Sequence, residues 1–347
     1  MKRVAILCGG PGSEHEISCL SAGGVLSAIN RDEYEPILIG ITRQGEWMSL
    51  PLDYPLALEN GTLPSVSGNF PEVIRGKNGM TVGGAQLVID VIFPVLHGTY
   101  GEDGQLQSDL DHLGIAYVGS GAVASECAMD KSEAKTLFAS AGIAIAPSVT
   151  VTEAEWKRSP EAVRESIKQL GMPLFVKASR GGSSRGTVKV KELNTFASAM
   201  EEALSFDSKV LIESAIDGAE VECAVLEIDG KAKASIPGKV WIDPQYEFYD
   251  YQAKYLDGAT RIDIPAPFSG EIIEKIQKLA LIAFNAIGAK GLARVDFFVT
   301  HSGEIIINEI NTMPGFTRTS AYPKMWQATG IGYSEVITHL LQSALAR

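Results

Sequence analysis

Arg294, Asp296, Glu309 and Asn311 interrupt two stretches, 292–299 and 305–311, that are otherwise rich in β-branched and aromatic residues. Thr300-His301-Ser302-Gly303 between them reads as a turn, so the two stretches are predicted to form a hairpin. Side chains alternate faces along a strand, which puts Arg294 with Asp296 and Glu309 with Asn311. If the hairpin pairs those faces, two carboxylates, an amide oxygen and a guanidinium converge. Hard oxygen donors of this kind suit Mg2+, which takes a few carboxylates together with substrate phosphates. A hairpin with one wetted polar face would show the same alternation. Two features favour chemistry. The charges sit within very apolar strands, where an uncompensated charge is costly. The chain then continues Asn311-Thr312-Met313-Pro314-Gly315-Phe316-Thr317, a Pro-Gly turn that brings backbone N–H groups beside the cluster.

Three further stretches carry polar groups where a ligand would meet them. Gly181-Gly182-Ser183-Ser184-Arg185-Gly186 follows a predicted strand ending at Lys177. Small residues let backbone amides approach phosphate oxygens, two hydroxyls add donors, and Lys177 could neutralise a phosphate. A flexible hairpin turn has the same composition, and Thr187-Val188 replaces the Lys-Ser/Thr that a P-loop requires. Gly9-Gly10-Pro11-Gly12-Ser13-Glu14 follows the first strand. It lacks the third glycine of the dinucleotide fingerprint, but the carboxyl end of a strand in a wound sheet is where ligands bind. Glu14 would meet a ligand there, or serve as helix N-terminal charge. His97-Gly98-Thr99-Tyr100-Gly101-Glu102-Asp103-Gly104 follows an apolar run at 88–95 in the same way, with His97 either structural or functional. Residues 243–258 hold Tyr246, Phe248, Tyr249, Tyr251, Lys254 and Tyr255 in one long connection, which reads as a lid or as a surface loop pinned by aromatics.

These groups need a scaffold. A chain of 347 residues, 45% hydrophobic and 21% charged, is globular and long enough for two or three domains. Residues 4–7, 36–41, 88–95 and 116–118 read as strands around a short helix at 21–29, a wound α/β pattern. Asp130 with Glu133 marks a helix start, and Ser159-Pro160 another. Strands at 174–177, 187–191 and 209–213 with a helix at 195–204 make a small α+β unit. A third unit has strands at 221–228 and 233–242, the hairpin, and a final helix at 333–346. It also has a helix whose stripe is Ile272, Ile276, Leu279, Ala283 and Ile287.

The net charge of −12 gives no field for nucleic acid, so an anionic substrate needs local lysines and metal. No apolar run reaches membrane-spanning length, and the N-terminus enters a strand without a signal region, so no membrane insertion and a cytoplasmic location are expected. Cys8, Cys19, Cys127 and Cys223 form no C-x-x-C pair, and Cys8 and Cys223 are expected to be buried thiols.

Taken in order, these motifs resemble the D-alanine:D-alanine ligases of the ATP-grasp superfamily. The likeness runs from Ser13-Glu14-His15-Glu16 to Pro314-Gly315-Phe316-Thr317. It includes the stretch at His97, Ala128-Met129-Asp130-Lys131, Gly182-Ser183-Ser184, Phe248-Tyr249-Asp250-Tyr251, Gly291-Leu292-Ala293-Arg294-Val295-Asp296 and Asn308-Glu309-Ile310-Asn311-Thr312. The resemblance implies an N-terminal wound parallel α/β, substrate-binding domain at 1–125 followed by a two-part ATP-grasp fold. The central subdomain would span 126–217 and the C-terminal subdomain, with metal site and lid, 218–347. It implies that ATP contacts Lys131, Lys177, Ser183, Ser184 and Phe248, with the adenine edge at Glu213 and Ile216 and the ribose at Glu220. Asp296, Glu309 and Asn311 would hold two Mg2+, for which Mn2+ substitutes. Arg294 and the Gly315 amide would form the oxyanion site. Glu14 and His97 would orient the first D-alanine, with Lys254, Ser320 and Ala321 also at the substrates, and Glu14, Ser183 and Tyr255 would link by hydrogen bonds. A homodimer is implied in the same way.

Four positions depart from the family pattern. Arg185 stands for a small apolar residue, Gly181 for an acidic one, Ala178 for a proline, and Ala321 for a Leu or Met. The last bears on the second substrate. D-alanine:D-serine and D-alanine:D-lactate ligases, and other ATP-grasp carboxylate–amine ligases, are the alternatives within the fold. A degenerate nucleotide-binding regulator is the alternative outside catalysis, and the intact Lys131, Lys177, Arg294, Asp296, Glu309 and Asn311 argue against it.

Overall fold

Strand Lys2–Gly9 is buried from its third residue on because it is paired along both edges and covered on both faces. Val4, Ile6 and Cys8 enter one apolar cluster, and Ala5 and Leu7 enter another, as a period of two requires. The structure, a computed structural model, describes residues 1–77, 79–242 and 260–347. The first sheet runs Trp47–Leu50, Tyr34–Ile41, Lys2–Gly9, Val91–Pro94, Ala116–Tyr117. Its inner pairs are parallel and Trp47–Leu50 closes one edge antiparallel.

The predicted helix at 21–29 is in fact His15–Ala28. Gly9 and Gly10 have φ of 88° and 97°, which lets the strand turn into the helix within a few residues. A Cβ on Gly9 would stand 2.3 Å from the Ile41 carbonyl oxygen, so glycine is required there. The apolar run at 88–95 is not one strand. Its paired part is Val91–Pro94; the side chain of Asp90 accepts from the Arg3 N–H and Lys2 Nζ, and Val88 is exposed. Before it, Ala85–Leu87 joins Val73–Gly76 and Gly79–Val82 in a small antiparallel sheet that hydrophobic patterning had not revealed. Helices Gln105–Leu113 and Ala321–Ala328 and strand Ser148–Thr152 also went unread.

The middle of the chain forms an antiparallel sheet in the order Thr187–Val190, Leu174–Ala178, Lys209–Ser214, Ser148–Thr152. Asp130 caps helix Lys131–Ser140 as expected, accepting from the Ser132 and Glu133 N–H groups. In the third sheet, Gly218–Ile228 pairs with Leu292–Thr300, which pairs with Ile305–Asn311. The strand expected at 233–242 is two, Lys231–Ala234 and Gly238–Ile242. Pro237 in the gap has no N–H to give a ladder, and Ser235 Oγ there accepts the Ala224 N–H. Residues 243–258, with Tyr246, Phe248, Tyr249, Tyr251, Lys254 and Tyr255, lie outside the described residues, so the expected lid does too.

The two ends of the chain share one core. Val4, Ile6 and Phe93 pack in the same cluster as Phe316, Tyr322, Trp326 and Leu340. Phe316 is fully buried at its centre, with ring centroids 5.6 Å from Phe93, 5.7 Å from Tyr322 and 5.5 Å from Tyr333. Its backbone follows the Pro-Gly turn, so this ring fixes that turn against the first sheet. Phe316→Ala is expected to lower stability by about 3–5 kcal/mol, read by urea unfolding; a loss under about 1 kcal/mol would show that the ring is not a keystone.

Candidate active site

The register of the hairpin is the one that alternation predicts. Arg294 lies opposite Asn311 and Asp296 opposite Glu309, and the pairing slips by one residue just beyond, between Asp296 and Phe297. The extra residue is Asn308, and such a bulge re-aims a strand locally. On the other edge Glu222 lies opposite Asp296. The polar groups therefore meet on one face of a sheet whose other face is packed with Val295, Phe297 and Ile307.

These charges compensate one another. Arg294 donates from Nε to Asp296 Oδ1 and from Nη2 to Asp296 Oδ2, both at 2.7 Å. Asn311 Nδ2 donates to Asp296 Oδ2 at 3.2 Å, and Lys131 Nζ stands 3.7 Å from Glu309 Oε2. Glu222, 3% exposed, brings Oε1 to 3.4 Å from Arg294 Nε. Among the described residues no three His, Cys, Asp or Glu side chains are close enough together to cage an ion by themselves. The donor set nonetheless fits a hard divalent cation: two carboxylates and an amide oxygen side by side, already matched with positive charge from Arg294 and Lys131, with space for phosphate oxygens to complete the shell.

Two adjoining cavities open over this face. The larger, of about 1040 Å³, is lined by Glu14, His97, Arg294, Asn311, Gly315 and Ser320, with Ala321 beside them. The smaller, of about 230 Å³, is lined by Lys177, Ser184, Glu213, Ile216, Glu220 and Asp296. Lys131, Ser183, Glu222 and Glu309 face both. The candidate residues within the described chain are thus brought together; Phe248, Lys254 and Tyr255 lie outside it.

The larger cavity is built across the two ends of the chain. Glu14 is 6% exposed at the start of helix His15–Ala28, and Ser183 Oγ donates to its Oε1. Ser183 and Ser184 both have positive φ, 51° and 57°, an uncommon state for non-glycine residues that the loop geometry imposes. His97 Nδ1 lies 2.8 Å from the Met313 carbonyl oxygen, which can only accept, so Nδ1 carries the proton and Nε2 accepts from Ser21 Oγ at 2.9 Å. Burial holds the His97 pKa below its ordinary value, against the pull of Glu14. Glu102 accepts the Gly98 N–H at 2.7 Å and the Met313 N–H at 2.9 Å. Loss of water and the Glu14 carboxylate push Glu102 up to about 8. Both backbone groups of Met313 are therefore gripped by the 97–102 loop, and the turn ending at Gly315 is held with them. Ser320 Oγ accepts the Thr317 N–H at 3.1 Å and closes that turn.

In the smaller cavity Glu213 faces Lys177 and stands 2.9 Å from Lys135 Nζ. Burial alone would raise Glu213, but the two ammonium groups hold it at about 2. Burial opposes the charge on Lys177, and Glu213 overcomes it, raising that pKa. Arg185 does not reach this cavity: its guanidinium lies over the Phe206 ring, 5.4 Å from the centroid. Cys8 and Cys223 are buried thiols, as read from their strands.

Sequence reading missed Glu102, Glu222 and Lys135. Glu222 had a signal, since it follows Glu220 by two residues and so shares its strand face. Glu102 stood inside a motif already singled out. Lys135 follows Lys131 by four residues and so shares its helix face, but nothing in the chain pointed to its partner Glu213, 78 residues away.

Two family models cover most of the chain. One described as "D-ala D-ala ligase N-terminus" matches residues 3–120, and one described as "D-ala D-ala ligase C-terminus" matches 137–342. A D-alanine–D-alanine ligase of Pseudarthrobacter chlorophenolicus is 45% identical over 99% of this chain and 94% of its own. One of Streptomyces coelicolor is 42% identical over 99% and 93%. The crystal structure of VanG D-Ala:D-Ser ligase from Enterococcus faecalis superposes with a TM-score of 0.87 at 36% identity over 99% of both chains. The structure of the D-alanine–D-alanine ligase from Coxiella burnetii superposes with a TM-score of 0.85 at 30% identity, over 100% of this chain and 96% of that one. No described helix is long and apolar enough to cross a membrane.

Glu213 tests the electrostatics of the smaller cavity. Its pKa is depressed in the folded protein, so its stabilising effect is full above about pH 4.3 and is lost as pH falls toward about 2. Glu213→Gln would leave Lys135 and Lys177 without their shared counter-charge and is expected to cost about 3–5 kcal/mol at pH 7. That loss should shrink as pH is lowered from about 4.3 toward 2. Urea unfolding of both proteins at pH 7 and pH 3 checks it, and a pH-independent gap would contradict the charge assignment.

Proposed function

The chain belongs to the D-alanine–D-alanine ligase family, and we propose that its two cavities carry out that chemistry as the residues above divide it. It is an ATP-dependent ligase of the ATP-grasp fold that makes D-alanyl-D-alanine for cell-wall peptidoglycan. The observation that carries the division of roles is the register of Arg294, Asp296, Glu309 and Asn311 at the junction of the cavities.

ATP occupies the smaller cavity, with Lys131 and Lys177 at its phosphates, Ser183 and Ser184 donating from the loop, Glu213 and Ile216 at the adenine edge and Glu220 at the ribose. Lys177 exchanges part of its contact with Glu213 for phosphate oxygen. Asp296, Glu309 and Asn311 would hold two Mg2+, for which Mn2+ would substitute, and the ions would supply positive charge to offset that of the transferring phosphoryl group. The first D-alanine lies in the larger cavity, its ammonium at Glu14 and its carboxylate toward the γ-phosphate, with His97, its ring fixed by Met313 and Ser21, lining the cavity beside it. That carboxylate attacks phosphorus and becomes an acyl phosphate, releasing ADP. The amine of the second D-alanine, held by its carboxylate at Ser320, attacks the acyl carbon. The guanidinium of Arg294 and the Gly315 N–H stabilise the tetrahedral oxyanion, and phosphate leaves. Phe248, Lys254 and Tyr255, which lie outside the described residues, are assigned to nucleotide, substrate and the Glu14–Ser183 link by the family resemblance alone. A division of the chain at 125 and 217, a homodimer and a cytoplasmic location belong to the same proposal, and light scattering reads the dimer.

Ala321 supports a second reading for the second substrate. It is smaller than the Leu or Met that the family carries there, and the structure with the TM-score of 0.87 is that of a D-Ala:D-Ser ligase. D-serine is then a poor second substrate beside D-alanine, because an added hydroxyl is hard to reject by size alone. D-lactate lacks the amine and brings a net negative charge, so it is refused.

Mass spectrometry of the product from equal D-alanine, D-serine and D-lactate at pH 7.5 should show mainly D-alanyl-D-alanine. A dominant mixed product would overturn the substrate assignment. Glu309→Gln should abolish most D-alanine-dependent ADP release while melting near the native temperature; undiminished turnover would remove the metal assignment. Lys177→Ala deletes a charge-assisted phosphate contact of about 1.5–3 kcal/mol, so the ATP requirement should rise about tenfold to a hundredfold. An unaltered ATP dependence would place the phosphates elsewhere.

A further inference from the structure

Asp296 has one carboxylate and faces two cations. Both its oxygens accept from Arg294 in this structure, at 2.7 Å each. The function proposed above also gives Asp296 to a divalent ion. A carboxylate that turns the lone pairs now facing the guanidinium to such an ion gives up the bidentate pair, and Arg294 then needs another acceptor. If it found none, the guanidinium would either stay on Asp296 and compete with the ion or be lost from the oxyanion site.

Glu222 is placed to resolve this. It lies directly opposite Asp296 on the neighbouring strand, with Ala224 opposite Arg294, so its side chain shares their face diagonal to Arg294. Its Oε1 stands 3.4 Å from Arg294 Nε. Nε carries a single hydrogen, and that hydrogen now goes to Asp296 Oδ1. Glu222 is 3% exposed and belongs to a long central strand, Gly218–Ile228, whose backbone is paired on both edges. It lines both cavities, where Arg294 borders the larger.

We propose that Glu222 is a positioning residue that takes over the Nε–H of Arg294 when Asp296 turns to the divalent ion. The exchange costs Arg294 no charge partner. It leaves the Nη groups directed at the larger cavity, and it frees Asp296 for the ion. The arrangement is a two-position switch in which Arg294 guards Asp296 until the ion arrives. It rests on the assignment of Asp296 and Glu309 to the ion.

Mn2+ titrated into the ADP complex and followed by electron paramagnetic resonance reads the switch without turnover. Glu222→Gln keeps shape and removes the charge, so Arg294 stays on Asp296 and Mn2+ binding weakens by about threefold to tenfold. Because loss of a nearby carboxylate could weaken the ion directly, the same substitution is repeated in Arg294→Met. If Glu222 acts through Arg294, its effect on Mn2+ vanishes in that background, to within about twofold. An effect of equal size in both backgrounds means that Glu222 acts on the ion itself and overturns the proposal, as does no effect in the native background. Glu222→Met replaces Glu222→Gln throughout if the amide prevents folding. Glu309→Gln is the control: if Mn2+ binding ignores it, the ion assignment fails and this proposal with it, whereas a Glu309 effect without a Glu222 effect overturns this proposal alone.

Discussion

Charge compensation on the polar face of one hairpin is the constraint on which the rest of the site depends. Arg294, Asp296, Glu309 and Asn311 stand on a sheet whose opposite face is apolar core. Charges so placed are tolerated only when paired. In this structure the pairing is internal: Arg294 with Asp296, Lys131 beside Glu309, and Glu222 at the flank. Under the proposed function a metal–nucleotide complex would bring positive ions and negative phosphates into the same space, so that internal pairs could be exchanged for external ones at little net cost in charge. The smaller cavity repeats the logic with Lys135, Glu213 and Lys177.

Exchange is useful only if the exchanging groups are held in register, and the fold does this by stitching its two ends together. Met313 gives its N–H to Glu102 and accepts at its carbonyl from His97, so a turn from the end of the chain is clamped by a loop from its first sheet. Phe316 then sinks into the core beside Phe93. The Ser183 loop, from the middle of the chain, reaches across to Glu14. The larger and smaller cavities are neighbours because the three sheets meet at these contacts, and a displacement of any one of them would part the polar groups that line them. Positioning to a fraction of an ångström is where ligation chemistry of this kind obtains most of its rate.

Local pattern carried a good deal of this. Alternation gave the hairpin and its faces, the Asp130 cap gave the helix that presents Lys131, and a glycine-serine run after a strand gave the Ser183 loop. It failed where a local signal had a non-local cause. The apolar run at 88–95 looked like one strand, but Asp90 is taken by Lys2 and Arg3 and the strand starts after it. The helix expected at 21 begins at His15, because two glycines at positive φ permit a turn that hydrophobicity does not report.

By itself the sequence determined which residues could do chemistry and, through their order and spacing, which family they belong to. Residue type and strand parity are properties of a few neighbouring positions, so they are written in the chain. Tertiary structure decided the partners: Glu222 beside Arg294, Lys135 on Glu213, Glu102 on Met313, Arg185 over Phe206 and away from the smaller cavity. Each of these joins segments far apart in the chain, or chooses among several acceptors that the chain equally offers. That choice is made by burial, which leaves a charged group no option but the partner that packing brings within reach.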